Sequence, residues 1–242
     1  MYKQKKVIVI APCYNEGKKI ENVVKRVQAL PNGIVDELLV IDDGSTDTGP
    51  EAVRRLGATV IPLNSIKGVG AALREGFHYA IKREYDIIVV IAGNDKDDPN
   101  EIPLLLDGVV DGGNDFVQGS RFLKKFNFGH MPIYRRIATR IHPILFSIVT
   151  GKKLTESTNG FRAFQSKLLQ DKRINLNQDW LDQYELEPYL YYKTITLGYK
   201  TMEVPCTKIY PPKKIGYTKM KPFVGWWSIL RPLFLLRLGL RS

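Results

Sequence analysis

Four short apolar runs, at residues 7–10, 37–41, 58–62 and 86–91, stand out in the first 91 residues of the chain. They are aliphatic without an alternating polar position, which is typical of strands buried on both faces. The segments between them, 18–30, 50–56 and 69–83, carry apolar residues at three- and four-residue steps, as helices do. Strands that alternate with helices predict an α/β fold, a Rossmann-like, doubly wound, mostly parallel sheet flanked by helices.

The second half of the chain is less regular. Residues 116–121 predict a further strand and loop, and residues 132–149 a helix with Ile137, Ile141, Leu145 and Ile148 on one face. A helix over 180–197 and a strand over 199–206 follow. We expect one domain over residues 1–206 and a basic, aromatic-rich, membrane-associating tail over 207–242.

Polar loops follow three of the predicted strands, at residues 11–16, 42–47 and 93–99. In open α/β sheets, the ligand crevice lies outside the carboxyl ends of the strands. We therefore expect these loops to face one cleft. Taken singly, each loop is also compatible with a solvated turn that caps the next helix.

Two of these loops are acidic: one carries Asp42 and Asp43, the other Asp95, Asp97 and Asp98. Two carboxylate clusters at one sheet edge repel each other unless a cation lies between them. Mg²⁺ or Mn²⁺ bound by one or two carboxylates, with diphosphate oxygens completing the shell, suits this arrangement. Such an ion neutralises the charge on a departing diphosphate.

Five motifs along the chain resemble those of family 2 glycosyltransferases with the GT-A fold. They are Pro12-x-Tyr14-Asn15-Glu16, Asp42-Asp43-Gly44-Ser45-Thr46-Asp47, Lys67-Gly68-x-Gly70-x-Ala72, Gly119-Ser120-Arg121 and Asn159-Gly160-Phe161-Arg162. Tyr184-Glu185 and Glu203-Val204-Pro205 are similar to late motifs of the polyprenyl- and dolichyl-phosphate sugar transferases. The resemblance covers about residues 6–221, and its first two motifs are the specific ones.

The chain departs from this family at one motif. Aligned on Pro99, the family's Asp-x-Asp-x-Gln becomes Gly93-Asn94-Asp95-Lys96-Asp97. The first aspartate is missing and Asp97 replaces the glutamine. Asp95 and Asp97 remain available to share a metal ion, and the departure concerns the coordination and the donor sugar rather than the diphosphate site.

The resemblance implies a set of site residues. It makes Asp95 the main metal ligand, with Asp97 beside it, and Arg121 a contact of the diphosphate or of an acceptor phosphate. Ordinary structural roles remain open for some residues: Glu16 as a helix cap, and Arg121 as the partner of Asp115. The implied nucleotide contacts are Pro12, Tyr14, Asn15, Glu16, Asp42, Asp43, Lys67, Gly68 and Asp95.

The implied reaction is an inverting transfer of a hexose, mannose or glucose, from a GDP- or UDP-sugar to polyprenyl or dolichyl phosphate or another lipid-linked acceptor. A lipid phosphate is already ionised near neutral pH and needs no base. A sugar hydroxyl would need one, for which Asp179, Asp182 and Glu185 are candidates. The alternatives are a non-catalytic, nucleotide-binding adaptor at a membrane and a nucleotidyltransferase.

The net charge of +11 is concentrated at one end of the chain. No acidic residue follows Glu203 and eight basic residues do, which leaves +3 for residues 1–203 and argues against a nucleic-acid groove. The tail contains no apolar run of about 20 residues. Its paired tryptophans beside Lys and Arg favour the headgroup boundary of a membrane, and packing on the protein's own core or on a second copy, as a homodimer, is the alternative.

A basic cluster lies beside the two stretches richest in apolar residues, the predicted helix at 132–149 and the tail. It suits a phosphate-bearing acceptor at the membrane. Its members are Arg135, Arg136, Arg140, Lys213, Lys214 and Lys219. The N-terminal segment lacks the features of a signal peptide, and two cysteines make no disulfide framework. We therefore expect a peripheral protein at the cytoplasmic face of a membrane.

Overall fold

The apolar runs of the sequence become the strands of a central sheet. The structure is a computed structural model and describes residues 1–124, 129–212 and 224–241. Its strands are β1 (Val7–Cys13), β2 (Glu37–Asp42), β3 (Thr59–Pro62), β4 (Ile87–Val90), β5 (Phe116–Ser120), β6 (Arg162–Gln165) and β7 (Thr201–Pro205). Its α-helices are α1 (Lys18–Gln28), α2 (Gly49–Arg55), α3 (Val69–Lys82), α4 (Ile102–Val110), α5 (Ile133–Thr150), α6 (Leu186–Thr196) and α7 (Val224–Arg237).

The strands form one sheet in the order β3-β2-β1-β4-β6-β5-β7. β1 is parallel to β2 and β4, and β2 is parallel to β3, which confirms the predicted parallel half. β6 lies antiparallel between β4 and β5, a reversal that was not predicted, and β7 is parallel to β5. The sheet is therefore mostly parallel, and the carboxyl ends of β1, β2 and β4 share one edge.

Each face of the sheet carries its own core. Successive side chains of a strand point to opposite faces, so Ile8 and Ile10 of β1 pack in the cluster that contains Phe77 of α3. Val7 and Val9 pack in the other cluster, with Val23 of α1. Every fully buried aliphatic side chain of this kind contributes about 1.5–3 kcal/mol to folding. Burial on both faces explains the unbroken apolar runs.

The predicted helix over 180–197 is shorter in the structure. A 3₁₀ turn covers Asp179–Leu181, and the α-helix begins only at Leu186. The reason is a tertiary contact, because the carbonyl oxygen of Asp182 accepts a hydrogen bond from Ala71 N of α3 at 3.0 Å. That contact holds the intervening turn against α3.

Helices α5 and α7 carry apolar side chains both on the side that faces the core and on the side that faces solvent. Leu233 and Leu236 of α7 are buried in the core, so one side of this helix packs on its own chain, which was the alternative to the predicted membrane-associating tail. Trp227 and Phe234 of the same helix are exposed. α5 exposes a stripe of isoleucines: Ile133, Ile137, Ile141, Ile144 and Ile148. Across the described residues, no helix combines the length and hydrophobicity that crossing a membrane requires.

Candidate functional site

The loops after β1 and β2 are tied to each other. Asn15 has a left-handed backbone (φ 48°), which asparagine tolerates. Its N–H donates to Ser45 Oγ at 2.9 Å, and its Oδ1 accepts from Thr46 N at 2.7 Å. Asp42 Oδ1 accepts from Ser45 N at 2.9 Å. The structure thus brings Asn15 and Asp42 together, with Pro12, Tyr14 and Glu16 adjacent along the chain: they are five of the predicted nucleotide contacts.

The loop after β4 reaches the same place. A Cβ built on Gly93 would lie 2.8 Å from the carbonyl oxygen of Pro12 and 3.0 Å from Ile20 Cδ1. Real Cβ atoms do not approach a backbone oxygen so closely, so this position accepts only glycine. The three polar loops therefore converge at one sheet edge, as expected, and an aspartate at position 93 would have no room.

Asp43 faces the start of α3. Its carboxylate accepts hydrogen bonds from the backbone N–H groups of Lys67 at 2.7 Å and Gly68 at 2.9 Å. Burial raises the pKa of Asp43, and these two bonds oppose the rise. Asp43 holds the loop that precedes α3 in place, while its role as a nucleotide contact, with Lys67 and Gly68, stays a prediction.

The glycines of the Lys67-Gly68-x-Gly70 motif permit a close contact between two chain segments. A Cβ on Gly70 would lie 1.9 Å from Leu181 O, and one on Gly68 would lie 2.5 Å from Asp182 O. The turn at 181–183 therefore rests directly on the first turn of α3. Arg74 of α3 also pairs with the Asp182 carboxylate.

Asp95 lies beside a helix that carries an arginine. Arg26 of α1 donates to Asp95 Oδ1 at 3.1 Å and to Asp98 Oδ1 at 2.6 Å, and Asn22 donates to Asp95 Oδ2 at 3.2 Å. Asp95 also has a left-handed backbone (φ 55°), which is uncommon outside glycine and tends to occur at functional sites. Both oxygens of its carboxylate accept hydrogen bonds from α1.

Asp97 is turned to another part of the chain. The Lys208 ammonium donates to its two oxygens at 2.6 and 2.8 Å, and also to Asn159 Oδ1 at 2.9 Å. Asp97 and Lys208 are both buried. The backbone continues this contact, because Ile209 N donates to Lys96 O at 2.9 Å. The loop after β4 is thereby paired with the segment after β7.

The residues present do not form the predicted Mg²⁺ or Mn²⁺ site. Asp95 is bound to Arg26 and Asn22, Asp97 is bound to Lys208, and position 93 excludes a further carboxylate. In the described part of the chain, no three His, Cys, Asp or Glu side chains are grouped so that they could hold a metal ion. The donor set does not fit a divalent cation, because its carboxylates already pair with the chain's own cations.

Lys96 lies between these two aspartates in the sequence, and its side chain is 6% exposed. Its Nζ is 5.2 Å from the centre of the Tyr210 ring, and Cζ of Arg135 is 5.4 Å from that same centre. Burial, together with the smaller effects of the Lys208 and Arg135 charges, lowers the pKa of Lys96 to about 7.

Arg121 is fully enclosed. It forms a two-point ion pair with Glu156 (2.6 and 2.9 Å) and donates to Tyr210 Oη at 3.0 Å and Thr158 Oγ1 at 2.6 Å. Burial alone would raise the pKa of Glu156, but the Arg121 guanidinium lowers it. The alternative pairing with Asp115 is wrong, since Asp115 pairs with Lys167. In this geometry Arg121 positions Tyr210; its contact with a phosphate stays a prediction.

The three candidate bases have different surroundings. Glu185 is buried and pairs with Arg231 of α7 at 2.8 Å, and Asp182 pairs with Arg74. Asp179 is exposed in the 3₁₀ turn. Two of the three carboxylates are therefore held by arginines.

An apolar groove of about 250 Å³ runs between α5 and α7. Arg135 and His142 line it on the α5 side, and Trp226 and Ile229 on the α7 side. His142 joins the two helices, because its ring contacts Ser157 Oγ at 2.7 Å and Ile229 O at 3.3 Å. Arg136 and Arg140 are exposed on α5. Lys213, Lys214 and Lys219 lie outside the described residues.

Several residues of this region were not predicted as site residues. Arg26 and Lys208 lie outside every motif of the sequence, and Lys96 occupies the variable position of one. Glu156 and Tyr210 stand in segments without any motif. One signal was available for Lys96, since its positive charge lies between the two aspartates that were expected to share a metal ion.

Comparisons with known proteins agree with this architecture. The sequence model described as glycosyl transferase family 2 matches residues 8–172. The chain is 30% identical over 222 residues to the polyprenol monophosphomannose synthase of Mycolicibacterium smegmatis, covering 89% of this chain and 81% of that protein. It is 28% identical over 221 residues to the dolichyl-phosphate hexose transferase of Haloferax volcanii, covering 91% and 89%.

Solved structures show the same fold. The glucosyl-3-phosphoglycerate synthase of Mycobacterium tuberculosis, in complex with Mn²⁺, uridine diphosphate and glucosyl-3-phosphoglycerate, has a TM-score of 0.67 at 20% identity, covering 99% of this chain and 82% of that chain. The same protein with Mg²⁺ and uridine diphosphate has a TM-score of 0.68 at 20% identity, with the same coverage. The predicted GT-A fold is confirmed. The chain belongs to glycosyl transferase family 2 and is a glycosyltransferase.

Proposed function

We propose that the protein transfers a hexose from a GDP- or UDP-hexose to polyprenyl or dolichyl phosphate, with inversion at the anomeric carbon. The names of its relatives support this acceptor class: one is a polyprenol monophosphomannose synthase and another a dolichyl-phosphate hexose transferase. Family membership favours an enzyme over the non-catalytic adaptor. Mannose and glucose are the proposed sugars.

The observation that carries the proposal is the position of Tyr210. Lys96 contacts its ring from the loop after β4, and Arg135 contacts it from the apolar groove. A donor diphosphate beside Lys96 and an acceptor phosphate beside Arg135 would both adjoin this ring. An apolar groove that ends in an arginine suits a ligand with a phosphate head and a hydrocarbon chain.

The chemistry needs little from the protein beyond positioning. An acceptor phosphate oxygen would bond to the anomeric carbon while the bond from that carbon to the diphosphate oxygen breaks, and the nucleoside diphosphate would leave with the electron pair. A phosphate monoester loses its second proton near pH 6, so it attacks without a base. This acceptor agrees with Glu185 and Asp182 being held by Arg231 and Arg74. A sugar hydroxyl would need one of them released, or the exposed Asp179, as its base.

The exposed isoleucine stripe of α5, together with Trp227 and Phe234 of α7, supports peripheral binding to a membrane surface. A lipid acceptor could then enter the groove from the bilayer. Association through α7 into a homodimer and a boundary at residues 206/207 remain proposals.

For the predicted divalent ion, the structural neighbours and the pairing of the site's carboxylates point in opposite directions. Structural neighbours were solved with Mn²⁺ or Mg²⁺, which favours it. The pairing of Asp95 with Arg26 and of Asp97 with Lys208 does not. No part of the reaction described above depends on the ion.

The test is transfer of labelled sugar from GDP-mannose, UDP-glucose or GDP-glucose into vesicles that contain polyprenyl phosphate. We expect one donor to give label in the organic extract. Arg135→Gln should lower the rate at limiting acceptor, because it removes the proposed phosphate contact. Lys167→Gln, which removes one exposed positive charge just after β6, serves as the comparison for the loss of one charge. If no donor labels the lipid, with or without Mn²⁺, the proposal is wrong.

A further inference from the structure

The segment at residues 180–185 lies between α7 and the start of α3 and contacts both. We propose that Glu185 is a positioning residue: paired with Arg231 of α7, it fixes this segment, which in turn holds the loop before α3 in the position that binds the donor nucleotide. This role rests on the proposed function, because Lys67 and Gly68 of that loop are predicted nucleotide contacts. It replaces the role of a base for Glu185.

On one side, the segment is attached to α7. Arg231 pairs with Glu185 Oε1 at 2.8 Å and donates a hydrogen bond to the carbonyl oxygen of Trp180 at 3.0 Å. Ser228, one helical turn earlier on α7, accepts a hydrogen bond from Tyr184 N at 3.2 Å. Arg231 therefore contacts both ends of the segment, and these bonds fix the segment relative to α7.

On the other side, the segment supports the loop before α3. Gln183 Nε2 donates to Lys67 O at 2.8 Å, and Ala71 N donates to the carbonyl oxygen of Asp182 at 3.0 Å. Gly68 packs against the same residues so closely that a Cβ at this position would collide with Gln183 Nε2. The position of the loop is therefore tied to the position of the segment.

The loop before α3 also contacts the end of β2, where further predicted nucleotide contacts lie. The Asp43 carboxylate accepts hydrogen bonds from the backbone N–H groups of Lys67 at 2.7 Å and Gly68 at 2.9 Å. Residues 64–67 are exposed and belong to no helix or strand, so their position depends on the side chains that reach them. Those side chains come from Asp43 on one side and from Gln183 on the other.

The pair of Glu185 and Arg231 provides geometry rather than stability. Glu185 Oε1 pairs with Arg231, whereas Glu185 Oε2 is buried and has no hydrogen-bond partner among the described residues. Burial of a carboxylate oxygen without a partner costs free energy, so an ion pair of this kind contributes little to stability. A general base must lie within hydrogen-bond reach of the substrate, and this oxygen is enclosed.

Helix α7 also forms one wall of the apolar groove. Trp226, Ile229 and Leu230 line the groove, and His142 of α5 contacts the carbonyl oxygen of Ile229 at 3.3 Å. The helix therefore supports the proposed acceptor groove directly and the donor loop through Arg231. Both substrates of the proposed reaction thus depend on the position of the same helix.

The first measurement is hydrogen–deuterium exchange of the full chain without nucleotide. We expect Glu185→Gln and Arg231→Gln to raise exchange in the peptide 64–72 by at least about 3-fold, because its contacts open more often. The strand at residues 7–13 should keep its wild-type exchange, whereas a general loss of stability would raise exchange there. Glu75→Gln, which removes an exposed carboxylate of α3, should exchange like wild type.

The second measurement is the affinity for GDP and UDP by calorimetry, together with the transfer rate. For the nucleotide that binds wild type, Glu185→Gln should weaken binding and raise the donor KM by at least about 3-fold, with kcat within about 2-fold. Arg231→Lys keeps the charge and should bind more tightly than Arg231→Gln. Arg237→Gln removes an exposed charge of the same helix and should bind like wild type.

The outcomes separate this role from the alternatives. A base at Glu185 would give the opposite pattern, because Glu185→Gln would lower kcat by about 100-fold or more and leave nucleotide affinity unchanged. That pattern would overturn the inference, as would wild-type exchange of the peptide 64–72 in both variants. Should either variant fail to fold by circular dichroism, the milder Ser228→Ala, which removes only the bond from Tyr184 N, decides by the same criteria.

Failure of the inference and failure of the proposed function give different results. If wild type and Glu185→Gln bind GDP or UDP equally well and transfer the sugar at equal rates, the inference is wrong and the proposed function stands. If neither GDP nor UDP binds wild type, the proposed function fails and the inference fails with it.

Discussion

Lys208 donates to both carboxylate oxygens of Asp97, at 2.6 and 2.8 Å, and both side chains are buried. This pair links the loop after β4 to the segment after β7. The third bond of the ammonium, to Asn159 Oδ1, extends the link to the Asn159-Gly160-Phe161-Arg162 motif. The loop that carries Lys96 is therefore shaped by residues far apart in the sequence.

Replacement of Lys208 by Met should destabilise the protein by about 3–5 kcal/mol, because it leaves the Asp97 charge buried without its partner. Urea unfolding followed by circular dichroism measures this change. The double variant Lys208→Met with Asp97→Asn should recover part of the loss. A loss below about 1 kcal/mol in the single variant would mean that the pair does not hold this loop.

Replacement of Gly70 by Ala should cost at least about 2 kcal/mol in the free energy of unfolding, since its Cβ would lie 1.9 Å from Leu181 O and the backbone must shift. Glu75→Ala, on the exposed side of α3, should stay within about 0.5 kcal/mol of wild type. Thermal or urea unfolding compares the three proteins. Equal stability of Gly70→Ala and wild type would contradict the close contact of 181–183 with α3.

His142 should make stability fall in mild acid. Burial lowers its pKa in the folded protein, whereas in the unfolded chain it titrates near pH 6.5. Below about pH 6.5 the unfolded chain binds a proton that the folded protein excludes, so stability is lost as the pH falls toward the folded pKa. His142→Asn should therefore show a smaller drop in melting temperature between pH 7.5 and pH 5.5.

His78→Asn provides the matched control for that experiment, because His78 is exposed on α3. Its pH dependence should equal that of wild type. If His142→Asn also kept the wild-type pH dependence, the neutral, buried state of His142 would be excluded.

The isoleucine stripe of α5 should contribute to membrane binding. Ile137→Glu with Ile141→Glu should lower partitioning into anionic vesicles by more than about 10-fold, since each buried isoleucine contributes about 1.5–3 kcal/mol. Vesicle co-sedimentation measures the effect. Leu104→Glu, at an exposed leucine of α4, should partition like wild type. Equal partitioning of the stripe variant would place the membrane contact elsewhere.

The sequence pattern was sufficient for the parallel half of the sheet. Runs such as Val7–Cys13 are buried on both faces of the sheet, so the hydrophobicity of the run itself is enough to predict a strand. β6 (Arg162–Gln165) has four residues and begins with a charged one, so it produces no such run. The late start of α6 was not predictable either, because it depends on the contact of Asp182 with α3.

The candidate site was predictable where it follows from strand ends and not where it follows from packing. Asn15 and Asp42 meet because β1 and β2 are adjacent and parallel. The partners of Asp95 and Asp97 come from a helix face and from the segment after the last strand. No motif marks Arg26 or Lys208 in the sequence, since only the tertiary structure makes them partners of these carboxylates.

The central claim, that the acceptor is a lipid phosphate, is tested most directly by comparing transfer to three acceptors: polyprenyl phosphate, the corresponding polyprenol without phosphate, and a soluble sugar. One measurement, the rate of labelled hexose appearing in each product with the same donor, suffices. We predict transfer to polyprenyl phosphate alone, since it needs no base. Transfer to the soluble sugar or to polyprenol at an equal or higher rate would contradict the claim.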